Sequence, residues 1–496
     1  MDGTNVETEA GDVDKHVKRI YFSRQVFSCG AIVLNYLMYG MYMGAPTVII
    51  PQLRREANST DVVTPEMASW LSSISAYCGI PWAFILPMIA FRYGRKIILV
   101  AVTITVLIGN IIFYCSTSVI ELLVSQAIQG ILAASIMTIT VMVMSEYTSP
   151  KYRGVLLAVK SATFYWGVWI ANAIGTFYNW RNIGIVIFVC IFFNFSSIFY
   201  KESPYWLATN GRFEECARIH RWLKGTGEES EKELRKLILS QQDHLNNKTE
   251  FNKLPHYKKH IKIINIVKSK SFHKPLFYAI LPTSLVHLSG KVVYTIYAID
   301  IIKKITSSEE TAYEGMLILD GVTVLGMYFG CSLARFMRRR TQLILFTCIG
   351  VAFLYILSVY MYMIKLGIIL EDKYLSLFLL TAFSISIGGG PMILSSCCAS
   401  ELAPLRYRSY FLCCLTLFNS MLLASTVKFS PLIFKNCGTH GAFLVYAIST
   451  TIVIVLVSKY MPETKDKTIQ EIQERITQDG TQLKTLIKNK ESEQSG

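Results

Sequence analysis

Apolar residues gather into long runs separated by short polar clusters. Twelve runs, at about 26–50, 67–91, 97–118, 122–145, 155–178, 182–200, 275–301, 315–334, 341–363, 375–399, 410–434 and 441–461, are long enough to cross a bilayer. A spanning helix needs about 20 apolar residues, because in hydrocarbon every backbone polar group must be satisfied within the segment. The pattern therefore predicts an all-α membrane protein with twelve transmembrane helices. Between the sixth and seventh runs lies the one long polar stretch, where 212–223 and 229–245 carry apolar residues at helical spacing and charges on the other faces. The expected organisation is a polar tail over 1–25, a six-helix bundle over 26–200, a linker with short helices over 201–274, a second six-helix bundle over 275–461 and a tail over 462–496.

Composition narrows the class. Of 496 residues, 52% are hydrophobic and only 17% charged, with a mean hydropathy of +0.39, which excludes a disordered chain and an ordinary soluble domain. The net charge of +15 is placed unevenly. Residues 201–274 hold 16 Lys and Arg against 9 Asp and Glu, and the clusters Arg92–Lys96, Lys151–Arg153, Arg335–Arg340 and Arg406–Arg408 fall on the same side of the expected spans. Such a bias orients a membrane protein with its basic loops in the cytosol, so both termini are expected there and no nucleic-acid partner is. The first 25 residues are polar and carry no apolar signal core. The 12 cysteines show no C-x-x-C spacing, so neither a disulfide framework nor a metal site is expected. No nucleophile–base set or phosphate loop is visible, so no catalytic residue, cofactor or enzymatic activity is expected.

An internal repeat divides the chain. Ser145-Glu146 with Lys151-Tyr152-Arg153 recurs as Ser400-Glu401 with Arg406-Tyr407-Arg408, every match 255 positions on. Duplicated halves are the architecture of alternating-access carriers, with the site between them near mid-membrane. Each carboxylate sits where a helix ends at the cytosolic surface. There it either forms a bridge that latches the closed state or acts as an interfacial charge with a topological role.

Several ionisable groups lie inside the runs, where charge is costly. Lys291 and Asp320 fall at similar depths and are expected to form an ion pair, either functional or merely tying two helices, with His287 one turn from Lys291. Lys160 either snorkels to the cytosolic surface or faces a cavity, and Tyr165, Trp166 and Trp169 either stack on a ligand or belong to an interfacial belt. The sequon at Asn58 lies in the first outer loop and is a possible glycan site; that at Asn247 falls in the cytosolic linker.

The segments Arg92-Tyr93-Gly94-Arg95-Lys96, Glu146…Pro150…Arg153-Gly154, Glu202-Ser203-Pro204-Tyr205-Trp206-Leu207…Gly211-Arg212, Glu401…Pro404…Arg408 and Pro462-Glu463-Thr464-Lys465 together resemble the signature set of the sugar porter family within the major facilitator superfamily. Ser69-Trp70 and the Glu-Ser-Pro-Tyr-Trp-Leu form resemble insect facilitated trehalose and sugar transporters. The resemblance implies gating charges at Arg92, Arg95, Glu146, Arg153, Glu202, Arg338, Glu401, Arg408 and Glu463. It also implies a sugar pocket touching Ser161, His287, Ser289, Tyr297 and Asn419. The pocket departs from the family pattern: Ser161 stands for a glutamine, Val286-His287-Leu288-Ser289-Gly290-Lys291-Val292 lacks three amides, Met392 follows Gly390-Pro391 where a tryptophan is usual, and Gln126 replaces an arginine.

The implied function is facilitated transport of a small sugar, trehalose or a hexose, across the plasma membrane. The first span, Val26–Ile50, holds no Asp or Glu, which favours diffusion down a gradient over proton coupling. A symporter using His287 or Asp320, a carrier of another polar or anionic solute, and a sensor without flux stand as alternatives.

Overall fold

A computed structural model describes the backbone of residues 3–57, 63–252, 269–306, 308–334, 336–404 and 408–465. The side chains of Arg153 and Arg408, and all of Asn58, lie outside the described residues. The described chain is almost wholly helical. In order, the helices are α1 (Gly3–Glu56), α2 (Pro65–Tyr93), α3 (Arg95–Cys115), α4 (Val119–Ile128), α5 (Gly130–Met137), α6 (Ile139–Tyr147), α7 (Pro150–Phe177), α8 (Arg181–Asn194), α9 (Pro204–Thr209), α10 (Phe213–Lys224) and α11 (Glu228–Asn252). They continue as α12 (Lys270–Leu288), α13 (Lys291–Ile296), α14 (Ala298–Thr306), α15 (Glu309–Leu333), α16 (Arg339–Lys365), α17 (Lys373–Ile387), α18 (Ile393–Leu402) and α19 (Arg408–Tyr460). Among the described residues, ten helical stretches are long and apolar enough to cross a membrane.

Two features sit where the apolar pattern asked for more. Helix α7 covers the expected fifth span, and α19 is interrupted at Gly438 (φ 72°), between the last two expected runs. In the other direction, α1 runs without a break through the segment expected as a tail. The turn at Arg24 and Gln25 is held by tertiary bonds: Gln25 Nε2 donates to Leu223 O and Ser149 Oγ, and Arg24 Nη1 donates to Trp222 O.

Helices α1 and α7 pack at backbone distance because glycines face one another. A Cβ built on Gly40 would lie 1.9 Å from Phe164 O, and one on Gly167 would lie 2.1 Å from Leu37 O. Small residues allow this approach in membranes, where dispersion rather than water exclusion drives helix association. A large apolar cluster fills most of the interior, and a second joins Val141 and Met142 of α6 to Leu394, Cys398 and Leu402 of α18. Helices α9 to α11 pack at one end, here termed the linker end. Ser203 caps α9, and the buried face of α10 is Cys216, Ile219, His220 and Leu223.

Candidate functional site

At the linker end, the first turn of α3 brings Arg95 onto Glu146 at the end of α6. The guanidinium forks both carboxylate oxygens, Nε to Oε2 at 3.1 Å and Nη2 to Oε1 at 3.0 Å, with the two side chains only 3% and 9% exposed. Ser203 Oγ donates to the same carboxylate. Glu202 takes the free backbone N–H groups of Arg95 and Lys96 at 2.9 and 3.3 Å, so a carboxylate sits where the α3 dipole and its unpaired donors favour one.

The same plan recurs 244 positions later in α16. Arg339 meets Glu401, and Glu463 accepts from Arg339 N and Arg340 N at 3.1 and 3.2 Å. The guanidinium used is therefore that of Arg339. Arg338, expected in this role, is the extended N-cap residue of α16, so its side chain leaves before the helix begins. Arg92 also departs from expectation: it is exposed, 5.5 Å over the Tyr93 ring. The Arg95–Glu146 fork and the single Arg339–Glu401 contact each join elements within one duplicated segment, so neither is itself a bridge between segments.

Midway along the helices, the segment expected as the seventh span is discontinuous. Ser289 Oγ donates to Val286 O and accepts from Lys291 N, and Gly290 adopts φ 74° between α12 and α13. The Ser289 hydroxyl thus spends its one donor within this break. A side chain at Gly290 would be strained and would meet the Tyr446 ring at 2.8 Å.

Directly before the break, His287 Nε2 and Asn419 Oδ1 are 2.9 Å apart, which requires the Nε2-protonated tautomer. These two expected pocket residues are brought together. Tyr297 lies apart, its hydroxyl donating to Val427 O, and Ser161 is half-buried on α7.

The expected Lys291–Asp320 ion pair is not a direct contact. Both residues are fully buried and interact through space. However, Asp320 Oδ2 is taken by Asn172 Nδ2 at 2.7 Å, and Lys291 Nζ has no hydrogen-bond partner among the described residues. Asp320 Oδ1, Asn172 Oδ1 and His287 Nδ1 are likewise buried and without a partner among the described residues. Lys160 does not snorkel: it is 1% exposed, with Nζ 3.0 Å from the Tyr36 hydroxyl, because that phenol offers a nearer acceptor than the surface.

Contacts between the two duplicated segments lie mainly along α7 with α15 and α2 with α19. They include Asn172 with Asp320 and Trp166 Nε1 with Tyr328 Oη at 3.1 Å. Lys428 Nζ donates to Ser69 Oγ at 2.9 Å and stands 3.8 Å over the Trp70 ring. At the end remote from the linker, Thr47 Oγ1 donates to Ile296 O at 2.6 Å. Asn172 was the residue that sequence reasoning missed. Its signal was available, since an amide inside an apolar run is a polar group in search of a partner.

Three comparisons bear on this geometry. The "Sugar (and other) transporter" family matches residues 26–476. The facilitated trehalose transporter Tret1 of Drosophila virilis is 23% identical over 467 residues, which is 92% of this chain and 49% of that protein. The protein of the same name from Culex quinquefasciatus is 22% identical over 475 residues, 93% and 87% of the two chains. The chain thus spans about half the length of the Drosophila relatives it matches. Among solved structures, the major facilitator superfamily proton:xylose symporter XylE bound to 6-bromo-6-deoxy-D-glucose superposes with a TM-score of 0.76 at 14% identity, covering 91% of this chain and 98% of that one. The inward-open xylose transporter XylE from E. coli gives 0.69 at 13% identity, covering 91% and 99%. At this identity, the likeness establishes the fold.

Proposed function

The chain belongs to the sugar (and other) transporter family, and from that premise we propose that it carries a small neutral sugar, trehalose or a hexose, down its gradient by alternating access. The relatives are transporters, and the buried groups described above suit binding and release rather than bond chemistry. We read the architecture as twelve transmembrane helices in two six-helix bundles, over 26–200 and 275–461, counting α7 as the fifth span and the break at Gly438 as the boundary between the last two. The linker 201–274 and both termini then face the cytosol, by the distribution of basic residues, and the plasma membrane is the site of action.

The observation that carries this reading is the broken α12–α13 helix, beside which, among the described residues, buried polar atoms stand without partners in an apolar interior. Each such atom costs free energy unless something completes it. A sugar hydroxyl both donates and accepts, so Lys291 Nζ can donate to it while Asp320 Oδ1 and Asn172 Oδ1 accept. The Lys291 and Asp320 charges offset one another, which suits a neutral solute. His287 and Asn419 hold the adjoining edge. The Arg95–Glu146 fork and the Arg339–Glu401 pair stiffen their own segments, and opening requires α3 and α16 to move relative to one another.

The test is uptake in oocytes of labelled trehalose, glucose and a panel of organic anions, with and without a protonophore. Saturable sugar uptake insensitive to the protonophore is expected. Zero flux for every solute despite surface expression overturns the carrier reading.

A further inference from the structure

At the linker end, on the outer flank of α1, lies an open groove of about 550 Å³ walled by α1, the segment following α8, and Trp222 of α10. Its chemistry is both cationic and aromatic. Arg19, Arg24 and Lys201 line it, and none of the three meets a carboxylate among the described residues. Trp222 fixes two of them: Arg24 Cζ is 4.9 Å and Lys201 Nζ 4.1 Å from its ring centroid. Phe27 and Phe199, 48% and 80% exposed, also line the groove, at the level where the apolar span begins.

Cations that meet no carboxylate among the described residues, two of them held over the Trp222 ring, beside exposed rings match a molecule with an anionic head and an apolar body. We propose that this groove binds an anionic phospholipid, its phosphate on Arg19, Arg24 and Lys201 and an acyl chain along Phe27 and Phe199. Basic pockets between helices at the cytosolic membrane surface bind such headgroups. A soluble phosphate satisfies the cations and leaves the aromatic wall bare. The bound lipid bridges α1 and α10, which Gln25 already ties to the start of α7, and therefore stabilises the packed linker.

The test is the thermal midpoint of the full-length chain in detergent micelles containing phosphatidylserine, phosphatidylcholine or added inorganic phosphate. Phosphatidylserine is expected to raise the midpoint by several degrees and the other two to leave it in place. In Arg19→Gln/Lys201→Gln the rise is expected to vanish while the midpoint in phosphatidylcholine is kept. An equal rise in the double variant, an equal rise with phosphatidylcholine, or full reproduction by inorganic phosphate overturns the proposal. Should the double variant not fold, a photoactivatable phosphatidylserine on the wild-type chain decides. Labelled peptides within 19–28 or 195–201 support the site, and labelling only elsewhere overturns it. None of these measurements reads transport, so they are independent of the sugar reading.

Discussion

Glu146 and Glu401 occupy equivalent positions in the repeat, but their surroundings differ. The Arg95–Glu146 fork is 3% and 9% exposed, the Arg339–Glu401 pair 23% and 26%. Removing one partner of a buried pair strands the other charge, at a cost of about 3–5 kcal/mol, whereas solvent compensates a more open one. Glu146→Ala should therefore lower the melting midpoint of the detergent-solubilised protein clearly more than Glu401→Ala. At the proposed pocket, His287→Ala is expected to raise KM for the transported sugar about ten-fold, roughly the worth of one or two hydrogen bonds to a polar ligand, with surface expression retained. For Lys291 and Asp320 the informative set is each alanine variant and the double. Transport lost in all three assigns them to the ligand, and full transport regained in the double makes the pair structural. The residue types at these positions were legible because charge inside an apolar run is conspicuous. That Asn172 holds Asp320, and that Arg339 replaces Arg338, depend on distances that spacing along the chain does not encode.

Helix ends and breaks show how elements are built around such residues. Gly290→Ala combines a left-handed backbone, about 1–2 kcal/mol for a residue with a Cβ, with a collision against Tyr446. It should reduce folded yield more than Gly227→Ala, where a Cβ meets nothing. In α10, burial and the neighbouring Lys224 push His220 down to about 4, Glu233 opposing them. Between about pH 4 and the ordinary 6.5, the unfolded chain binds a proton that the folded one refuses. The contribution to stability is thus complete above about 6.5 and is lost as pH falls through that window. Hydrogen exchange of α10 amides should accelerate between pH 7.5 and 5 relative to the intrinsic rate, and His220→Phe should flatten that change. Helix periodicity located α10 and α11 in the sequence. It could not anticipate that α1 continues before the apolar run, where Arg24 and Gln25 bond to Trp222, Ser149 and Leu223.

The molecule as a whole is joined by contacts between distant parts of the chain: Thr47 with Ile296, Lys428 with Ser69 and Trp70, and Asn172 with Asp320. If alternating access separates the first of these, then Thr47→Cys/Ile296→Cys, with exposed Cys115, Cys348 and Cys437 changed to Ser, should lose sugar uptake on oxidation and regain it on reduction. Unchanged uptake in a fully cross-linked protein contradicts separation at that point. By itself, the sequence determined that this is a helical membrane protein, where its apolar runs begin and end, and that its two parts repeat. Those properties follow from hydrocarbon solvation and local hydrogen bonding, which act on neighbours in the chain. Only the tertiary structure decided which buried polar atoms meet and which are left open. That outcome depends on how helices hundreds of residues apart rotate against one another, and a rotation of a fraction of a turn exchanges a partner for an apolar wall.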